Sequence, residues 1–208
     1  MNAAALPTKG AATRELILAR AVEIADASGL DALTIGMLAD AAGMSKSGVF
    51  AHFGSREELQ LAVLDAAAKI FTDEVFVPAV RERRGLPRLR AILDGWKRRT
   101  LRYGENRGCP IGAALLEFDD QPGPVRERVM GHIAHLLREI ARAVRIAVEQ
   151  GHLHADTDPE QVAFEVHGLM LAFQFEVKLS GVARAVARVE AGVNRLLDSL
   201  IQKNSRHD

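Results

Sequence analysis

The stretch Met44-Ser-Lys-Ser-Gly-Val-Phe-Ala-His-Phe-Gly-Ser-Arg-Glu-Glu-Leu59 opens like a helix at Ser45 and opens again at Ser55. Serine at a helix start accepts a hydrogen bond from a backbone N–H of the first turn. The two starts leave room for only a short helix between them, over about residues 46–52. Upstream, Ala41-Ala-Gly-Met-Ser45 is a tight, glycine-containing link to a helix over about residues 35–42. Two helices joined in this way are the pattern of a helix-turn-helix, whose second helix lies in the major groove of DNA.

The residue types on the short helix suit that placement. Capped by Ser45, its N-terminus presents free N–H groups and a partial positive charge, beside Lys46 and Ser47. Gly48 inside so short a helix costs about 1 kcal/mol relative to Ala, and close approach to a base edge or backbone is the compensation expected. His52 at the far end and Thr34 at the start of the preceding helix are in reach of flanking phosphates. Ser55-Arg-Glu-Glu58 reads as a capping box, a further helix N-terminus with Arg56 beside it for another phosphate. One helix is thus expected to read the groove and the next to clamp the backbone. Residues 1–65 carry five basic residues against eight acidic ones, whereas residues 41–56 hold Lys46, His52 and Arg56 with no acid. The field that favours DNA is local rather than domain-wide.

The run from Thr34 to Leu59 resembles the DNA-binding signature of the TetR family of bacterial transcriptional regulators. The resemblance covers residues 13 to about 65; beyond them the chain fits in helix number and length only. It implies an all-helical homodimer with an N-terminal helix-turn-helix and a C-terminal domain that binds a small effector and releases the DNA. By position Thr34, Ser45, Lys46, Ser47, Gly48, His52 and Arg56 take the DNA-facing roles. Phe50 stands at a further DNA-facing position where the family usually has Tyr, which removes a phosphate hydroxyl contact. Arg56 replaces the usual Lys and keeps the charge.

Outside this region nearly every segment reads as helix, because apolar residues recur at three and four rather than at two. Nine helices are expected, at about 13–28, 35–42, 46–52, 56–77, 87–104, 110–119, 124–150, 159–179 and 182–202. Gly29 and Gly43 suit left-handed C-terminal caps, Pro110 and Pro159 suit first helical turns, and Asp158 suits the N-cap before Pro159. Ile17, Ala21, Ile24, Leu33, Ile35, Leu38, Ala42, Val49, Phe50 and Phe53 form the expected core of a three-helix bundle. The reading is therefore all-α: an arm at 1–12, a helix-turn-helix domain at 13–60, and an effector-binding and dimerisation domain at 61–208. The helix from Arg56 is shared by both domains, with no flexible linker at the boundary.

Composition limits the alternatives. The 208 residues are 48% hydrophobic and 26% charged, with 27 basic and 27 acidic side chains, so net charge points to no partner. A single cysteine excludes an intramolecular disulfide framework and fits a reducing cytoplasm. The N-terminus has no signal-peptide pattern, and the most apolar window, 162–177, is broken by Glu165, His167 and Glu176. A cytoplasmic protein with no membrane contact is expected.

The later helices carry two further constellations. Val182, Val186, Val189, Val193, Leu196 and Leu200 repeat at four and three, a heptad-like seam, and the preceding helix is apolar on nearly every side. With the resemblance, these suggest a four-helix dimer bundle. Trp96, Tyr103, Phe118, His132, His135, Phe164, His167 and Phe173 are candidates to line a pocket for a small apolar or aromatic effector. Cys109, ahead of Pro110 and near Arg102 and Arg107, is a further pocket candidate and reads either as a reactive thiol at a helix N-terminus or as a buried, inert core thiol. The rival reading is a helical enzyme or metal-binding protein using His132, His135 and His167. Nothing specifies a nucleophile or a paired acid and base, so neither an enzyme nor a bound cofactor or metal is expected.

Overall fold

The computed structural model describes residues 9–103 and 109–201, the side chains of Lys9 and Tyr103 excepted. Among these residues there are ten α-helical segments and no strand, apart from one isolated antiparallel bridge between Leu153 and Ile201. They are α1 (Lys9–Ser28), α2 (Ile35–Ala42), α3 (Lys46–Phe53), α4 (Arg56–Phe71), α5 (Val77–Ala79), α6 (Leu86–Tyr103), α7 (Pro110–Glu117), α8 (Pro124–Glu149), α9 (Pro159–Ser180) and α10 (Val182–Leu200). The chain divides into two compact units: residues 1–69 with 109–130, and residues 70–108 with 131–208.

The first unit contains α1 to α3, most of α4, α7 and the start of α8. Ile17, Ala21, Ala25, Leu33, Leu38, Val49 and Phe53 are buried, while Ile24, Ile35 and Ala42 are half-buried. Phe50 departs from the expected core: it is 54% exposed. Val49 and Phe53 sit one helical turn apart and fill the core face of α3, which turns Phe50 outward. Gly43 ends α2 at φ 63°, ψ 33°, and its N–H donates to Ala39 and Asp40 carbonyls, so the tight turn is closed from within. The start of α1 at Lys9 shortens the expected arm; residues 1–8 lie outside the described residues.

The second unit has a continuous core of α4's last residues, α6, α8, α9 and α10, including Phe71, Leu93, Trp96, Ile140, Val166, Phe173 and Leu197. The helical path from α4 continues through a π-helical turn, Thr72–Phe76, into α5. Pro78 lacks the N–H that an unbroken α-helix would donate to the Glu74 carbonyl, and the chain widens just ahead of it. Gly95 on α6 lets that helix press against the widened turn, since a Cβ there would lie 3.3 Å from Val75 Cα.

The α10 seam expected from the sequence lies largely against this core. Val189 is buried in it, and Val186, Val193, Leu196 and Leu200 pack on it half-buried. Unpartnered apolar surface instead runs along α9, at Phe164, Phe175 and Leu179, 68%, 53% and 81% exposed, and on to Val182.

The start of α6 shows how closely this unit is fitted. His152 Nδ1 accepts the Leu86 N–H at 3.2 Å, and Gly85, at φ +89°, would place a Cβ 2.3 Å from that nitrogen. Gly85→Ala should therefore meet both backbone strain and a ring that is bonded in place. Urea unfolding should show a loss of about 2 kcal/mol, and a change under a few tenths would count against this account.

Candidate functional site

In the helix-turn-helix the starts of α2 and α3 lie side by side. Thr34 caps α2 by accepting the Met37 N–H at 3.2 Å, and Ser45 caps α3 by accepting the Gly48 N–H at 3.1 Å. Ser45 and Ser47 hydroxyls are also hydrogen-bonded at 3.1 Å. A Cβ on Gly36 would lie 3.3 Å from Lys46 Cε and 3.8 Å from Thr34 Oγ1, so the lysine stem of α3 and the hydroxyl of α2 converge over the first turn of α2. Ile35, Lys46, Ser47, Phe50 and Ala51 line an open, mainly apolar depression there. Thr34, Ser45, Lys46 and Ser47 are exposed, and His52 is half-buried in the last turn of α3. At Gly48 the fold supplies a local reason for glycine: a Cβ would lie 3.2 Å from Ser45 Oγ, the atom that caps the helix.

Arg56 also has partners within the fold. Its Nη2 donates to the Asp31 carboxylate at 2.8 Å and to the Asp31 carbonyl, and its Nε donates to the Leu33 carbonyl at 3.2 Å. The guanidinium braces the α1–α2 loop while its side chain stays 48% exposed. Only half of the expected capping box forms. Ser55 Oγ accepts the Glu58 N–H at 3.0 Å, while the Ser55 N–H is taken by the Phe53 carbonyl at 2.8 Å.

Several aromatic residues of the second unit gather around α6. Trp96 is buried, meets Phe71 edge-on with centroids 5.2 Å apart, and faces the His167 ring at 6.3 Å. Phe173 is buried in the same core, and Arg99, 5% exposed, lies over Phe71 and pairs with Glu74 at 3.2 Å. The other expected pocket residues scatter. Phe164 points outward on α9, His135 is exposed, His132 is half-buried, and the Tyr103 side chain lies outside the described residues. Phe118 is buried and Cys109 half-buried in the first unit. Cys109 occupies the N-cap position of α7 without a side-chain capping bond. Arg102, one of the two cations expected to activate it, donates to Glu74 at 2.7 Å, and Arg107 lies outside the described residues. Among the described residues no group of three or more His, Cys, Asp or Glu is placed to hold a metal, which leaves the rival His132, His135 and His167 reading without support. No helix among them is long and apolar enough to cross a membrane.

Burial lowers the His167 pKa below its ordinary value of 6.5. The unfolded chain then takes up the proton more readily than the folded one, so this contribution to stability is complete above the ordinary histidine range and is lost as pH falls through the folded pKa. Melting temperature should drop between pH 7.5 and pH 5, and His167→Phe should flatten that drop by about one proton's worth. An unchanged slope in the variant would assign the pH dependence to other groups.

Comparison with known proteins agrees with this architecture. Residues 17–63 match the family model described as bacterial regulatory proteins, tetR family, and residues 85–193 match that of the tetracycline repressor-like C-terminal domain. A TetR transcriptional regulator from Chloroflexus aurantiacus superposes with a TM-score of 0.80 at 25% identity, over 92% of this chain and 96% of the other. A TetR-family regulator from Cytophaga hutchinsonii gives 0.82 at 17% identity, over 96% and 100%. AibR, solved in complex with isovaleryl coenzyme A and operator DNA, gives 0.70 at 22% identity, over 89% and 98%. No curated protein matches the sequence. With both halves of the chain matched and the helix order preserved, the protein belongs to the TetR family of bacterial transcriptional regulators, joining a DNA-binding helix-turn-helix to a tetracycline repressor-like C-terminal domain.

Proposed function

We propose that this regulator is a ligand-responsive repressor that binds a two-fold operator as a homodimer and leaves it when a small apolar or aromatic effector occupies the second unit. The observation that carries the DNA half is the capped, cationic start of α3, where Lys46 and Ser47 border an exposed Phe50 and Lys46 and the Thr34 hydroxyl both lie over Gly36. Lys46, Thr34 and His52 take phosphates, while Ser45, Ser47, Gly48 and Phe50 lie against base edges. The role of Arg56 is to hold the loop that carries Thr34. The effector half rests on the pairing of Trp96 with His167, a buried ring beside a neutral imidazole, with Phe173 in the same core.

Dimerisation is assigned to the outward face of α9 and the start of α10, where Phe164, Phe175, Leu179 and Val182 are left uncovered by the protomer. Binding of AibR to an acyl coenzyme A and to operator DNA makes an acyl thioester a sensible first effector class to try, alongside simple aromatics. Footprinting on the DNA beside the gene tests the reading directly. A protected two-fold site that is lost at raised salt and on adding an effector supports it; a protein with no preference among DNA sequences, in any salt, sinks it.

A further inference from the structure

We propose that Glu117, on α7 and far outside the helix-turn-helix, is a positioning residue for DNA recognition, its carboxylate holding the α1–α2 loop through the Asp31 amide. This rests on the DNA-binding reading above. Glu117 Oε2 accepts the Asp31 N–H at 2.8 Å across 86 residues of sequence. Its Oε1 lies where a side chain on Gly29 would begin, 2.4 Å from the Cβ position, and Gly29 stands at φ +90°. The loop therefore takes a left-handed residue without a Cβ at the one point where the carboxylate presses on it.

That loop is short and tied at several backbone groups. The Leu30 carbonyl accepts Gln60 Nε2 at 3.1 Å, and the Asp31 and Leu33 carbonyls accept Arg56. Glu117 adds the tie on the N–H side. The loop leads directly into Thr34, whose hydroxyl caps α2 and, like the Lys46 side chain, lies over Gly36. An acceptor placed by α7 thus fixes the spacing between the end of α1 and the first DNA-facing group of α2. Asp31 brings a second carboxylate to the same loop, and its pairing with Arg56 relieves the repulsion that two acids side by side would otherwise cause.

The origin of the clasp gives it its interest. Residues 109–130 fall within the stretch that matches the C-terminal family model, yet they belong to the compact unit that holds the helix-turn-helix. Glu117 is a group from the effector-side sequence that acts on the DNA-binding fold by direct contact. A glutamine at this position keeps an oxygen that can accept the Asp31 N–H, whereas an alanine removes it.

The test uses the full chain and a duplex selected by the wild type from a random library. Affinity is measured well below the melting temperature, and exchange of the Asp31 amide is followed without DNA. Glu117→Ala should bind the duplex about tenfold more weakly, the scale of one charge-assisted hydrogen bond. It should also speed exchange at Asp31, with Glu117→Gln within about threefold of wild type in both readouts. An Ala variant with wild-type affinity and wild-type exchange overturns the proposal, as does a Gln variant as weak as Ala. If the wild type selects no duplex, the DNA-binding reading fails, and the exchange measurement alone still decides whether Glu117 holds the loop.

Discussion

Phe175→Glu is expected to convert the protein into a folded monomer, while Val189→Glu is expected to unfold it. The two positions lie on neighbouring helices and both read as apolar in sequence, but the protomer treats them oppositely. Phe175 stands 53% exposed on α9, in line with Phe164 and Leu179, and Gly168 between them meets no neighbour within 4 Å of its Cβ position. A charge there costs the protomer nothing and would be stranded in the interface between two copies. Leaving a buried charge unpaired costs about 3–5 kcal/mol, enough to weaken association about a thousandfold. Val189 is 5% exposed within the core shared by α6, α9 and α10. The same charge there removes a large share of the 5–15 kcal/mol by which a domain of this kind is stable. Sedimentation and circular dichroism at micromolar concentration separate the outcomes. A wild-type monomer would remove the dimer altogether, and a Phe175→Glu chain that unfolds like Val189→Glu would place Phe175 in the protomer core.

What the sequence could and could not convey follows from which interactions are local. Gly43, Pro110, Pro159 and Asp158 carry their structural meaning in their own backbone preferences, so the turns and helix starts they mark appear where expected. The reading helix was legible for the same reason, because Ser45 caps it from three residues away. Periodicity is a weaker guide, since it gives the apolar face of a helix but not the neighbour that covers it. The spacing of Val182 to Leu200 suits a dimer seam and a protomer core equally, and only the packing assigns Val189 to the core and Phe175 to the open face. The sequence suits Phe50 to the core and to the DNA-facing surface alike, and its two neighbours Val49 and Phe53 decide for the surface by filling the core side first. The partners of Arg56 and Glu117 have no sequence signal at all. Asp31 lies 25 residues from one and 86 from the other, and neither separation corresponds to a helical or strand period.

Lys46→Ala and Phe50→Ala should both impair operator binding, each by about 1–3 kcal/mol, and by different physics. Lys46 is an exposed cation at the first turn of α3, where its charge adds to the positive end of a helix capped by Ser45. If it meets a phosphate, its loss should weaken specific and random DNA alike and lower the slope of log affinity against log salt by about one. Phe50 carries no charge and borders the depression formed with Ile35 and Ala51. The base group that such a surface can read is the thymine methyl, so Phe50→Ala should leave the salt slope unchanged. Replacing thymine by uracil across the half-site separates the two roles, because it removes methyl groups and leaves every phosphate in place. Wild type and Lys46→Ala should lose affinity on the uracil duplex, whereas Phe50→Ala should bind both duplexes equally. Should Phe50→Ala still prefer thymine as strongly as wild type, the phenyl ring does not lie against the bases. If Lys46→Ala also kept its affinity and salt slope, α3 would have no place in the groove.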